Sequence, residues 1–343
     1  YYSIGLPQKA MELVYNVVSN GFIYSSNDVQ AAIDYIAKNE TCKTTDENII
    51  TTHRRALFGD YKHDTLVFDE DPLQSLLEIK KVRISDFIKL KTDNSKLQNS
   101  ISTIIETLIA SEFNQVIQNP SFTIDTEELI DAAISKNLNS NIFDFIGSAY
   151  FLRDIKDADL IHYVVKRSLP ESKRIIIMSA TAPIEIYQKM LGDRLVVITL
   201  GDVQQKGKII QYTKRSCSRN GPESQVESRM HFGNCSGYDT QKGKDIAVVG
   251  TPHRNNLEYY LTGKALGIDF EINEKAMSFN EISFNGFEFN FNCFINPELR
   301  PIQLALIQSD LIQAVGRART LRTNAIVKVC SNFPLRDADE FIY

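Results

Sequence analysis

The stretch Thr65-Leu66-Val67-Phe68-Asp69-Glu70-Asp71-Pro72 constrains this chain more than any other. Four β-forming, mostly apolar residues run directly into three carboxylates and a proline, which predicts a buried strand ending at the edge of a sheet. The acids then stand at the strand's carboxyl end, where open α/β sheets bind their ligands. An Asp-Glu pair in that position can hold a hydrated Mg²⁺ through one carboxylate while the other polarises a water. A solvated acidic turn is the plainer reading of the same residues, and the rest of the chain bears on the choice.

A length of 343 residues gives material for two domains, each with its own core. The formal charge of −5 argues against a uniformly basic nucleic-acid surface, so any such contact must come from local patches. Cys42, Cys217, Cys235, Cys293 and Cys330 include no Cys-x-x-Cys pair, so they suggest free thiols in a reducing, intracellular (cytoplasmic) setting rather than a zinc or iron–sulfur site. No apolar run approaches the roughly 20 residues of a membrane helix, and residues 1–343 carry no pattern from which a signal peptide would be expected. The chain opens at Tyr1 rather than at a methionine, as a piece of something longer would.

Along the first part, Leu6-Pro7-Gln8-Lys9 leads into an apolar-periodic helix that stops near Asn20-Gly21. Phe22-Ile23-Tyr24 reads as a short strand, Asp28 to Ala37 as a helix, and Asn48 to Arg55 as a strand entering a polar loop. With the acidic strand next, helices and strands alternate, which favours a parallel sheet covered by helices. From Leu73 to about Ser172 the pattern turns to almost pure helix. Ile101, Ile104, Ile105, Leu108 and Ile109 fall on one helical face, and further helices are expected over Thr126 to Ser135 and Asn141 to Arg167. Residues 73–172 are therefore expected to be a helical insertion, its stripes serving as core.

The β pattern resumes at Lys173 to Met178 and ends in Ser179-Ala180-Thr181-Ala182-Pro183; Leu195 to Leu200 reads as another buried strand. A domain boundary is expected at Gly201, where a polar stretch begins, dividing 1–200 from 201–343. Asp245 to Gly250 is a strand that runs into Thr251-Pro252-His253. Between residues 281 and 294, Asn285-Gly286 separates two alternating runs, predicting a type I′ hairpin with Ile282, Phe284, Phe287 and Phe289 on one face. Leu304 to Ile312 is an apolar-periodic helix continuing into Gln313-Ala314-Val315-Gly316-Arg317-Ala318-Arg319, with a strand over Asn324 to Cys330. Arg317 and Arg319 would repel each other without an anion nearby. A solvated basic helix end is one reading, and phosphate, which a guanidinium grips with two donors at once, is the sharper one.

Asp69-Glu70-Asp71-Pro72, Ser179-Ala180-Thr181 and Gln313-x-x-Gly316-Arg317-x-Arg319, in that order, resemble motifs II, III and VI of superfamily 2 helicases. The resemblance spans nearly the whole chain. It implies two RecA-like parallel-sheet α/β domains, the first carrying the helical insertion, and an ATP-dependent, Mg²⁺-dependent helicase or translocase. It further implies that Asp69 holds Mg²⁺ through its waters and that Glu70 positions the attacking water. Gln313, Arg317 and Arg319 would reach across the domain interface to the γ-phosphate, and Ser179 and Thr181 would couple hydrolysis to closure. Pro7, the run Thr51, Thr52, His53 and Arg54, and the run Gly250, Thr251 and His253 match motifs Ia, Ic and V by position alone. In the family those loops contact the sugar–phosphate backbone of nucleic acid, here DNA ahead of RNA; no membrane partner is implied.

Three features depart from the family. The Walker A string Gly-x-x-x-x-Gly-Lys-Ser/Thr is missing, and Gly207-Lys208-Ile209, Gly243-Lys244-Asp245 and Gly263-Lys264-Ala265 do not supply it; truncation upstream of Tyr1 explains this best, with little turnover expected from residues 1–343 alone. No motif IV is recognisable between Leu200 and Gly250. The long spacing between motifs II and III matches an arch in some repair helicases, whose iron–sulfur cysteines are absent here. A remnant that binds nucleic acid or a partner without hydrolysis, and a regulatory RecA-like NTPase, stand as the alternatives.

Overall fold

The computed structural model describes residues 1, 4–91, 95–201, 203–213, 232, 239–272 and 276–343. It is a mixed α/β structure with parallel sheets and helices, dividing into two compact units, Tyr1–Met178 and Ser179–Tyr343. The division falls ahead of the polar stretch from Gly201. Cys42, Cys293 and Cys330 are thiols; Cys217 and Cys235 lie outside the described residues.

The first unit opens with α1 (Pro7–Ser19), α2 (Ser26–Thr44) and the short α3 (His53–Phe58). Ser25 caps α2 and Thr52 caps α3, each accepting the backbone amide of the third residue of its helix. β1 (Thr65–Asp69) follows. Then come α4 (Leu73–Leu76), β2 (Leu77–Arg83), α5 (Ile84–Lys89), α6 (Ser95–Ala110), β3 (Val116–Gln118), α7 (Thr126–Ser135), α8 (Ile142–Ile146), β4 (Tyr150–Arg153), β5 (Leu160–Lys166) and β6 (Arg174–Met178). β1 and β6 pair in parallel, with Asp69 opposite Met178.

Residues 73–172 are not the helical insertion the sequence suggests. They hold a four-stranded antiparallel sheet, ordered β2-β5-β4-β3, with the helices packed on it. Residues 141–167, expected as helix, give the five-residue α8 and then β4 and β5. Continuous apolar runs such as Leu160-Ile161-His162-Tyr163-Val164-Val165 satisfy a helical and a buried-strand pattern equally, and only a neighbouring strand decides between them. The α6 stripe does form core: Ile101, Ile104, Ile105 and Leu108 are buried with Phe87, Phe145, Phe151 and Tyr163. Ile109, expected on that stripe, is exposed.

Other short readings change too. Phe22 and Ile23 lie in a 3₁₀ turn, and no strand forms over residues 48–55, whose last three open α3. Leu195 to Leu200 forms no strand, and Val196, Ile198 and Leu200 are about four-fifths exposed, at 78%, 80% and 83%. β propensity reports fit to a pleated surface and is realised only where a neighbouring edge accepts the strand. β1 itself is one-sided rather than fully buried, since Phe68 is 1% exposed and Val67 54%.

The second unit begins with α9 (Ile184–Leu191), β7 (Lys208–Tyr212), β8 (Ile246–Val249) and α10 (Asn256–Ala265). It continues with β9 (Met277–Phe284), β10 (Phe287–Phe294), α11 (Leu299–Val315), β11 (Ile326–Cys330) and β12 (Glu340–Ile342). β12-β7-β11-β8 is an all-parallel sheet. Its Ile209, Val248, Val327 and Val329 pack against Leu304, Ile307 and Leu311 of α11.

The expected hairpin is present as β9–β10. Asn285 and Gly286 have φ of +55° and +82°, as a type I′ turn requires. Ile282, Phe284, Phe289 and Phe291 all join the α11 core, and Phe333 contacts three of those rings, so this face is packing surface.

Gln211, fully buried in β7, fixes the chain that leaves β11. Its Nε2 donates to the Ser331 carbonyl at 3.0 Å and the Phe333 carbonyl at 2.7 Å, and its Oε1 accepts from the Leu335 amide at 2.8 Å. Gln211→Leu would keep the volume and strand all three backbone groups. Urea unfolding of this variant should show a loss of about 2–4 kcal/mol. A loss below about 1 kcal/mol would mean that the three groups find other partners.

Candidate functional site

Candidate residues occur in both units. In the first, the β1–β6 ladder closes when the Glu70 amide donates to the Met178 carbonyl at 3.0 Å. To make that bond and still turn, Glu70 takes φ of +83°. Asp71 accepts the Leu73 amide at 3.0 Å through Oδ1, so the third acid of the string forms a local turn around Pro72 into α4. Asp69 and Glu70 are both exposed.

His53 comes to the same place from α3. Its Nε2 is 3.1 Å from the Asp69 carbonyl oxygen. A carbonyl only accepts, so Nε2 carries the hydrogen. The ring stands edge-on to Phe68, at 5.5 Å and 77°. The unit thus gathers Asp69, Glu70 and His53. Arg54 instead points to Glu78, at 3.8 Å. Pro7 opens α1, and Thr51 precedes the Thr52 cap; neither is hydrogen-bonded to the acidic turn among the described residues.

In the second unit, Ser179 and Thr181 form a local turn before α9, with the Thr181 amide donating to Ser179 Oγ at 3.1 Å. The end of α11 carries the basic string. The helix passes through a 3₁₀ turn, Gly316–Ala318, and stops at Arg319, which has left-handed φ of +58° and ψ of 45°. Arg317 is buried, and its Nε donates to the Gln313 carbonyl at 3.3 Å. Arg319 is exposed, and its Nη2 donates to Asp239 Oδ1 at 2.8 Å. That hydrogen bond, more than any other neighbour, holds the Asp239 carboxyl below the usual range. The anion that the paired arginines call for is therefore supplied to Arg319 by a carboxylate. Asp239 was not legible in the sequence, because it sits in a polar stretch with no periodicity.

Gly250 to Arg254 follows β8. Gly250, at φ of +97°, closes the β8–β11 ladder by donating its amide to the Cys330 carbonyl at 2.9 Å. Thr251 Oγ1 lies 2.8 Å from Ser331 Oγ and 3.1 Å from Asn332 Oδ1. The His253 ring stacks on Phe291, at 5.2 Å and 19°; burial of its inner side pulls the pKa down and favours the neutral ring, although its outer edge is exposed. Arg254 is gripped at both Nε and Nη2 by Asp310, at 2.9 and 2.8 Å. Burial works against its charge, and the carboxylate outweighs it, so the guanidinium pKa is raised. The neighbouring Tyr259 hydroxyl is pushed up to about 12 by burial. It stays protonated and accepts the Arg254 amide at 3.1 Å. Asp310, Ser331 and Asn332 are further residues that carried no sequence signal.

Five non-glycine residues among those described have positive φ: Glu70, Asn114, Asn137, Asn285 and Arg319. Asparagine tolerates that region, whereas longer side chains do so at a cost of order 1 kcal/mol or more. The two that are not asparagine are the acid of the first string and the last arginine of the third. Strain of this kind collects at functional sites.

No family model matches the chain, and no curated protein matches it. The solved structure of S. tokodaii Xpd4 aligns over 87% of this chain and 76% of that one, with 10% identity and a TM-score of 0.39. At that score the likeness carries no argument about fold or function. No helix among the described residues is long and apolar enough to cross a membrane.

The strain is measurable by comparing two truncations at one position. Both Glu70→Ala and Glu70→Gly remove the carboxylate, and only glycine accepts φ of +83° freely. In urea unfolding the glycine variant should be the more stable by about 0.5–1 kcal/mol, and Arg319→Gly should exceed Arg319→Ala likewise. The reverse order at either position would show that its backbone is not strained.

Proposed function

We propose that the protein is a nucleic-acid-dependent ATPase of the helicase or translocase type, built on two RecA-like α/β domains. The observation that carries this reading is a coincidence of two independent facts. The sequence holds Asp69-Glu70-Asp71-Pro72, Ser179-Ala180-Thr181 and Gln313-x-x-Gly316-Arg317-x-Arg319 in order. The backbone is strained at Glu70 and Arg319, where a carboxylate and a guanidinium are kept in place of glycine or asparagine.

The residues present fit Mg²⁺. Asp69 offers exposed hard-oxygen donors at a strand's carboxyl end, and Mg²⁺ is bound through one or two carboxylates together with water and phosphate oxygens. When bound it supplies charge neutralisation to a phosphate. Glu70 orients the attacking water and takes its proton. Arg317 and Arg319 supply positive charge where negative charge develops on the transferred phosphoryl group, a contribution of about 10³–10⁵ in rate in enzymes of this chemistry. Gln313 stands just ahead of them in the last turn of α11, and Ser179 and Thr181 couple hydrolysis to movement. Pro7, Thr51 to Arg54 and Gly250 to His253 contact the sugar–phosphate backbone, which gives binding with little sequence preference. DNA is the favoured strand over RNA. The Gly-x-x-x-x-Gly-Lys-Ser/Thr cradle is not among residues 1–343; the arginines offer charge to a phosphate and no backbone nest for it.

That missing cradle favours one second reading, a protein that binds nucleic acid without hydrolysing nucleotide. Nucleic-acid-stimulated ATPase activity separates the two. A protein that carries residues 1–343 together with a Gly-x-x-x-x-Gly-Lys-Ser/Thr segment should hydrolyse ATP in the presence of single-stranded nucleic acid, and Glu70→Gln in it should lower kcat by about 10²–10⁴ with binding retained. Equal rates in the two proteins would remove the ATPase assignment; binding without turnover in the wild type would leave the second reading.

A further inference from the structure

We infer that Asn332, a residue outside every recognised motif, is the hydrogen-bond donor that the second unit presents to a nucleic-acid phosphate, and that Thr251 holds it in place. The inference rests on the nucleic-acid-binding reading of the loop after β8 and changes which residue makes the contact.

Ser331, 1% exposed, accepts the Phe333 amide at 3.1 Å through Oγ. Thr251 Oγ1 sits between Ser331 Oγ at 2.8 Å and Asn332 Oδ1 at 3.1 Å. An amide oxygen only accepts, so the single hydroxyl hydrogen of Thr251 goes to Asn332. The Thr251–Ser331 contact must then run the other way, with Ser331 donating. The chain of donors is Phe333 amide to Ser331 hydroxyl to Thr251 hydroxyl to Asn332 carbonyl oxygen.

Two consequences follow. Thr251 has no hydrogen left to give to a phosphate. Asn332 has its Oδ1 engaged and its amide plane fixed, and both hydrogens of Nδ2 are without an acceptor among the described residues. Asn332 is half-buried, and it follows the carboxyl end of β11, the central position between β7 and β8. Carboxyl ends of strands in an open parallel sheet are where anionic ligands are met. A side-chain amide donating to phosphate oxygen positions a strand without reading its bases.

The test measures binding of fluorescein-labelled oligo-dT to the chain by anisotropy. Asn332→Ala should weaken binding about 10- to 150-fold, the effect of one hydrogen bond to a charged group. Asn332→Asp keeps the shape and the acceptor for Thr251, removes both donors and adds a negative charge, and should weaken binding further. Thr251→Val loses only the positioning bond and should cost less than Asn332→Ala. Unchanged binding in Asn332→Ala, or a larger loss in Thr251→Val than in Asn332→Ala, overturns the assignment while leaving the nucleic-acid reading intact. Absence of binding by the wild type removes that reading and this assignment together.

Discussion

Every parallel strand here has to be closed at its carboxyl end. The chain turns away from the sheet there, and the last amides and carbonyls need partners that the ladder no longer supplies. In the first unit the Glu70 amide reaches back to Met178. In the second, the Gly250 amide reaches Cys330, and the Gln211 side chain takes the carbonyls beyond β11. The groups that perform this closure bring Asp69, Thr251, Ser331 and Asn332 to strand ends. The chemistry proposed for the protein sits where the backbone must be satisfied by something other than a strand.

The parts of the fold legible in the sequence are those whose signal is local. Asn285-Gly286 demands positive φ at two consecutive residues, and the hairpin that it predicts pairs in the expected register, with Phe287 opposite Phe284 and Phe289 opposite Ile282. The α11 helix, the β8 and β11 strands and the acidic end of β1 are likewise written in short runs. The antiparallel sheet within residues 73–172 is not legible in the sequence, because its pairings are not local. β2 pairs with β5 across some eighty positions, Lys80 opposite Tyr163, and nothing in Leu77-Glu78-Ile79-Lys80-Lys81-Val82-Arg83 announces that partner. A run without a clean period of two takes its state from what lies beside it.

The candidate site divides along the same line. Asp69, Glu70, Arg317 and Arg319 stand out as charged residues placed against strand or helix ends, a pattern visible in one dimension. Their partners do not. Asp239 meets Arg319 from a stretch with no periodicity, and His53 meets the Asp69 carbonyl by way of α3. Hydrogen-bond direction is harder still to read in sequence. Thr251 alone looks like a donor, and only the positions of Ser331 and Asn332 show that its hydrogen is already committed.

The two closures by backbone amide also explain why strain at Glu70 is informative. Glu70 follows Asp69, which is opposite Met178; Gly250 follows Val249, which is opposite Cys330. Each donates its amide to the carbonyl of that opposite residue, at 3.0 and 2.9 Å, and each does so with positive φ, +83° and +97°. One local geometry therefore occurs twice in the chain. In the second unit it is met by glycine, for which this backbone is free; in the first it is met by glutamate, for which it is costly. The hydrogen bond itself needs only an amide and does not choose between the two residues. The chemistry proposed for the first unit would choose a carboxylate at that strand end.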